Sequence, residues 1–385
     1  MIRIVLLLLF SATVALAQGP PALALPRSPE VHADGRVTFR LRAPNARVVQ
    51  VVREGARSQP IALQMDAEGV WSVTTGPLEP DFYGYSFTVD GARVLDTPNP
   101  LFKLNLQNPE SLLHVPGPAS LPWEVNDVPH GTVHHHRYRS ALVGELRDFF
   151  VYTPPGYHAS SAKNYPVLYL LHGNSDSADT WSGDVGRADI ILDNLIARGQ
   201  AQPMVVVMPL GYGTREVLVP LAPGTTRDPA ITQRNRDKFK EILLLEVLPQ
   251  VDKDYRVSKD RGSRAIAGLS MGGGQALTTG LSALDRFAWI GAFSAGSLED
   301  FNAKLPKLDV GANANQVRLL WIACGTDDNL ITTNRRLRDW LTSKGVQHVY
   351  IETPGEHAWT VWRRNLATFV PLLFRPQSGQ PRIAQ

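Results

Sequence analysis

A chain of 385 residues that is 43% hydrophobic and 19% charged is long enough for two globular domains with sizeable cores. Its formal net charge of +3 comes from scattered Lys and Arg, which excludes the basic footprint of a nucleic-acid binder and a polybasic membrane patch. Cys324 is the only cysteine, so an intramolecular disulfide is impossible and stability must come from the core.

The chain opens with MIRIVLLLLFSATVALAQ. Arg3 gives a positive start, residues 4–10 form a short apolar run, and Ala15-Leu16-Ala17 is a small-x-small cleavage pattern. This predicts a secretory signal peptide over residues 1–17, too short to span a bilayer comfortably. The expected location is secreted or periplasmic, with no membrane contact after cleavage.

Residues 31–96 alternate with period two. Val37, Phe39 and Leu41 share one strand face, and Tyr83, Tyr85, Phe87 and Val89 share another before the Asp90-Gly91 turn. Short strands with turn signals predict a small β-sandwich. Residues 97–129 are rich in Pro and Asn, lack periodicity and read as a linker. The expected boundaries are a sandwich at 25–115, a linker at 116–132 and a second domain at 133–375.

In that second domain, apolar runs alternate with amphipathic segments. DFFVYTP, YPVLYLLHG, MVVVMPLG, RAIAGLS, WIGAFSAG, LLWIACGT and HVYIETPG read as strands. Helices are expected at 190–198, 234–255, 271–283, 335–343 and 359–373. The pattern predicts an α/β fold with a mainly parallel sheet covered on both faces. Residues 210–235 read as a long, weakly periodic insertion, expected to act as a lid or substrate wall.

Gly268-Leu269-Ser270-Met271-Gly272 fits the Gly-x-Ser-x-Gly elbow in a strand–turn–helix context. A serine hydroxyl is a weak nucleophile until a histidine, held by a carboxylate, accepts its proton. Two histidines follow Ser270: His348 begins a strand, whereas His357 lies in the loop after it and is favoured as the base. The acid belongs in the loop of LLWIACGTDDNL, where spacing alone leaves Asp327 and Asp328 open. His172-Gly173-Asn174 follows an apolar strand. Asn174 and Met271 N–H groups are the expected oxyanion donors, with His172 structural. Trp181, Trp359 and Trp362 are expected near the site as substrate-binding walls. His130 and His134 to His136 lack the carboxylate or cysteine spacing of a metal site; no metal and no cofactor are implied.

Residues 133–374 resemble the esterase-D-like α/β-hydrolases, in particular carbohydrate esterase family 1, the feruloyl and acetyl-xylan esterases. The motifs YTPPGY, LLHGNSDSADTW, DNLIARG, AIAGLSMGGGQAL, WIACGTDD and GEHAWTVWR carry the resemblance. It implies the α/β-hydrolase fold, Asp328 as the acid and His357 as the base. Glu356 stands where family members usually carry a glycine. The sandwich resembles early-set, isoamylase-N-like domains with an immunoglobulin-like fold. Trp71, Tyr83 and Tyr85 could give it a weak polysaccharide-binding platform, although aromatics at strand spacing are more often core. The expected activity is a serine esterase with catalytic Ser270, Asp328 and His357, acting on feruloyl or acetyl esters of xylan. The alternatives are a siderophore or other small-ester esterase or acyltransferase on the same fold, and a non-catalytic polysaccharide-binding protein.

Overall fold

A computed structural model describes residues 25–54, 59–159, 164–222, 225–296, 298, 301, 305 and 317–375. The expected signal peptide lies outside them. Among the described residues, no helix is long and apolar enough to cross a membrane.

The N-terminal part is all-β. Val37–Arg42 pairs antiparallel with Glu30–Val31 and Val70–Thr75, which also holds Gln64–Met65. A second sheet centres on Asp81–Val89, flanked by Val49–Arg53 and Glu110–Val115. Alternation along these strands sends Val37, Phe39, Val49, Val51, Tyr85 and Phe87 into one core with exposure of 1% or less. Trp71 and Tyr85 are buried here: the indole N–H of Trp71 donates to the Ala43 carbonyl, and the Tyr85 hydroxyl to Asp96. These two aromatics therefore build core rather than an exposed sugar platform.

The stretch read as linker is more ordered than its composition suggests. It contains the strands Phe102–Lys103 and Glu110–Val115. Leu113 enters the sandwich core, while Leu112 turns the other way and packs with Phe82 and Trp123 against the second domain. A strand buried on both faces carries no polar–apolar alternation to read. Further on, Trp123 and Glu124 are buried, and Asn194 donates to the Pro122 and Glu124 carbonyls.

The large sheet has eight strands: Thr132–Arg139 (β1), Leu146–Thr153 (β2), Val167–Leu171 (β3), Val205–Pro209 (β4), Arg264–Leu269 (β5), Trp289–Phe293 (β6), Leu319–Gly325 (β7) and Val349–Thr353 (β8). Their order is β1-β2-β4-β3-β5-β6-β7-β8. β1 and β2 run antiparallel to their neighbours, and the rest are parallel. Helices Ala188–Ala197 (α1), Pro229–Ile242 (α2), Leu248–Asp254 (α3), Met271–Ser282 (α4), Ile331–Ser343 (α5) and Trp359–Phe369 (α6) cover it. One apolar cluster includes Tyr169, Ile266 and Ile322, and the other Leu168, Leu170 and Trp321; side chains alternate across the sheet, so each face has its own core. This is the expected α/β-hydrolase fold preceded by a small all-β unit.

The segment 210–235 is less of a loop than expected. Asp228 caps α2, its carboxylate accepting the Ala230 N–H at 2.8 Å, and Pro229 occupies the first turn. Helix therefore begins five residues before the anticipated start. A short 3-10 turn, Arg215–Leu218, lies upstream.

The two parts share a buried contact. Arg363 on α6 and Asp81 are fully buried. The guanidinium donates to Asp81 Oδ1, to the Phe82 carbonyl and to the Val185 carbonyl.

Candidate active site

β5 delivers Ser270 at its C-terminal end, and α4 starts with the next residue. Ser270 adopts φ 51°, ψ −116°, a positive-φ conformation that a non-glycine residue holds only when its surroundings enforce it. The enforcement is visible. A Cβ on Gly268 would lie 2.6 Å from the Gly272 carbonyl, and one on Gly272 would lie 2.5 Å from the His172 oxygen. Only glycines let β5, β3 and α4 approach this closely.

The next two strands supply the partners. Asp328 follows β7, His357 follows β8, and both lie at the same end of the sheet as Ser270. His357 Nε2 is 3.0 Å from Ser270 Oγ. Its Nδ1 lies 2.8 and 3.0 Å from the Asp328 oxygens. The carboxylate can only accept, so Nδ1–H donates and Nε2 is left to accept from the serine. Burial opposes the charge on Asp328, but the hydrogen bond and charge of His357 outweigh it, helped by the Leu330 N–H and Ser294. The Asp328 pKa is held below the usual carboxylate value. Asp327 takes a hydrogen bond from the Thr326 hydroxyl instead. Half-buried Glu356, the departure from the family pattern, leaves the His357 geometry intact.

His172, Gly173 and Asn174 follow β3. His172 Nδ1 donates to the Gly173 carbonyl at 2.7 Å, and its Nε2 accepts the Gly211 N–H at 2.8 Å. These bonds fix a neutral tautomer, and burial lowers the pKa to about 4. A Cβ on Gly173 would sit 3.5 Å from the Ser270 Cβ, so this loop runs alongside the serine. Met271 opens α4, where the first N–H groups have no intrahelical acceptor. The arrangement joins a hydroxyl, a base and an orienting acid in one hydrogen-bonded chain, which suits acyl transfer.

A cavity of about 300 Å³ opens over Ser270 and His357. Trp359 and Trp362 line it. Trp362 meets the His357 ring edge-on at 4.9 Å, with its N–H donated to Ser294 Oγ. Trp181, expected beside them, is fully buried and does not line this cavity. It packs behind Trp359 at 4.9 Å with its N–H on the Leu171 carbonyl, a core position that loop placement in the sequence could not reveal. The described part of segment 210–235 does not line the cavity either.

The opposite wall comes from the sandwich and had no sequence signal. Glu54, Lys103, Asn105 and Glu110 line the same cavity as Ser270. Lys103 Nζ lies 2.7 Å from Glu54 and 2.8 Å from Glu110. Burial alone would discharge Lys103, but these two carboxylates raise its pKa. Glu54 lies 49 residues from Lys103, so no local pattern links all three.

The histidines outside this site have ordinary partners. His130 pairs with Asp193, while His135 and His136 stack on Phe150 and Phe149. Among the described residues there is no cluster of metal-ligating side chains.

Residues 140–373 match the family model described as "Putative esterase". The chain belongs to this esterase family. An "Endo-1,4-beta-xylanase/feruloyl esterase" of Xylanibacter ruminicola is 30% identical over 357 residues, 90% of this chain. The chain spans 46% of that relative's length, about half. A solved ferulic acid esterase is 28% identical with a TM-score of 0.53, covering 63% of this chain and 97% of its own. The enterobactin esterase of Shigella flexneri, 21% identical, superposes with a TM-score of 0.66 over 87% of this chain and 92% of its own, which shows a shared fold that extends beyond the hydrolase part. The expected membership of the family 1-like carbohydrate esterases is borne out.

Proposed function

We infer that the protein is a serine esterase cleaving feruloyl or acetyl esters of a plant polysaccharide such as xylan. The hydrogen-bonded chain from Ser270 through His357 to Asp328 carries the reading. Ser270 Oγ attacks the ester carbonyl while His357 Nε2 takes its proton. Asp328 holds the imidazole tautomer and stabilises the imidazolium. The Asn174 and Met271 N–H groups receive the oxyanion. His357 then protonates the leaving alkoxide, and water, activated by the same imidazole, releases the acid.

Three observations support the substrate class. The name of the Xylanibacter ruminicola relative joins feruloyl ester hydrolysis to xylan cleavage. The indoles of Trp359 and Trp362, 1% and 6% exposed, border the cavity with apolar edges that suit a cinnamoyl ring. The signal-like first 17 residues support a place outside the cytoplasm, where such polymers are found.

The test compares kcat/KM for methyl ferulate, an acetylated xylo-oligosaccharide, a short alkyl ester and a catecholate siderophore ester. The first two are expected to lead. A siderophore ester preferred by more than about tenfold, roughly 1.4 kcal/mol of discrimination, would replace this reading with a siderophore esterase.

A further inference from the structure

The loop that carries Asn174 is held from two sides. From the hydrolase, the Tyr212 hydroxyl donates to the Asp176 carbonyl at 2.8 Å, and His172 ties the loop start to Gly211. From the sandwich, residues 104–108 reach across and make three contacts with the two residues after Asn174. The Leu106 N–H donates to the Ser175 carbonyl at 2.7 Å. The Asn105 amide donates to Asp176 Oδ1 at 3.0 Å, and the Ser175 hydroxyl donates to Gln107 Oε1 at 2.9 Å.

These bonds fall where the backbone needs support. Ser175 has φ 67°, a left-handed conformation without a glycine to ease it. Asp176 is 4% exposed, and a buried carboxylate needs its donors. Gln107 is itself braced, its amide donating to the Leu218 carbonyl at 3.2 Å. Gln107 and Asn105 therefore hold the peptide geometry one and two residues beyond Asn174, the oxyanion donor in the proposed mechanism.

We propose that residues 104–108 of the sandwich are a positioning element for the oxyanion loop, so that the N-terminal unit takes part in the chemical step itself. The proposal rests on the serine esterase reading. Asn105 and Gln107 act through Ser175 and Asp176 to aim the Asn174 N–H at an oxygen that becomes negative only in the transition state. Their loss lowers kcat and leaves KM for a small ester nearly unchanged.

The experiment uses the full chain with p-nitrophenyl acetate and an acetyl-type trifluoromethyl ketone, whose adduct with Ser270 carries an oxyanion. The Asn105→Ala/Gln107→Ala double variant should lose about tenfold or more in kcat, short of the ~10²–10³ lost with a whole oxyanion donor. Its KM should stay within about twofold, and ketone affinity should weaken in step with kcat/KM. Gln107→Glu keeps an acceptor for the Ser175 hydroxyl but gives up the bond to the Leu218 carbonyl, and should restore part of the kcat lost in Gln107→Ala. If the double variant does not fold, the two Gln107 variants decide the matter alone. Unchanged kcat, equal losses in Gln107→Ala and Gln107→Glu, or a loss confined to KM would each overturn the proposal. Wild-type protein without ester turnover would instead overturn the esterase reading, and the proposal with it.

Discussion

Asp81 and Arg363 form an ion pair across the boundary between the sandwich and the hydrolase, with neither side chain exposed. Removing one partner of such a pair strands the other charge out of water, which typically costs about 3–5 kcal/mol. Asp81→Ala should show a loss of that size in urea unfolding of the full chain. Excision of the sandwich near Pro129 would take Asp81 and Phe82 from Arg363, expose the apolar face that Phe82 and Leu112 cover, and remove Lys103 and Glu110 from the cavity wall. The composition of residues 97–129 suggests a free-standing esterase after such a cut; the buried pair predicts an unstable or insoluble one. A truncated protein as stable as the full chain would show that Arg363 finds water on its own.

Ser270→Ala should abolish most turnover without unfolding the protein, since loss of a triad nucleophile costs on the order of 10⁶ in kcat. Asp328→Asn should cost about 10⁴ by presenting the wrong hydrogen-bond donor to His357. Asp327→Asn should be nearly silent, because Asp327 bonds Thr326 rather than the imidazole. Steady-state rates for the three variants check this order. If Asp327→Asn proved the more damaging of the two aspartate variants, the orienting acid would be misassigned by one residue.

Asn174→Ala should be mild. The backbone N–H is the intended donor, and the side-chain amide lies against Ser175 Oγ at 3.3 Å. A fall within about fivefold in kcat is expected, whereas ~10²–10³ would mark the amide as an oxyanion donor in its own right.

His172 predicts an acid limit. Its pKa is about 4 in the fold against an ordinary 6.5. Between those values the unfolded chain binds a proton that the folded chain excludes. This contribution is complete above about pH 6.5 and is lost as pH falls towards 4, by on the order of 3 kcal/mol. Asp176 works with the opposite sign: burial pushes its pKa up to about 6, against the charge of Lys103. Its protonation favours the fold as pH falls from about 6 towards 3.8. His172→Gln keeps an acceptor for the Gly211 N–H and isolates the histidine. Denaturant midpoints taken from pH 7 to 4 should fall less steeply for this variant than for wild type. Parallel curves would exclude His172 as the source of acid sensitivity.

The catalytic end of the sheet was legible because its requirements are local. Gly268 and Gly272 are dictated by the approach of strand to helix, and His357 by its place after the last strand. Burial is a tertiary property, and there the reading failed. Trp181 looked like a loop aromatic and is core, and Tyr85 looked like a platform and is core. β1 went unseen because Thr132–Arg139 is an edge strand rich in His and Arg, with none of its residues fully buried. Lys103 was invisible as a site residue because its partners are 49 positions upstream and seven downstream. Chain proximity says nothing about such pairings until the sandwich docks.

The conformation of Ser270, φ 51° and ψ −116°, sets activity and durability against each other at a single position. A backbone held there by a residue with a Cβ stores roughly 1–3 kcal/mol. Glycine would release that energy, so Ser270→Gly should melt later than wild type while turning over nothing. Selection for heat resistance alone would therefore erase the nucleophile, and any thermostable descendant that still cleaves esters must have found its stability elsewhere in the chain.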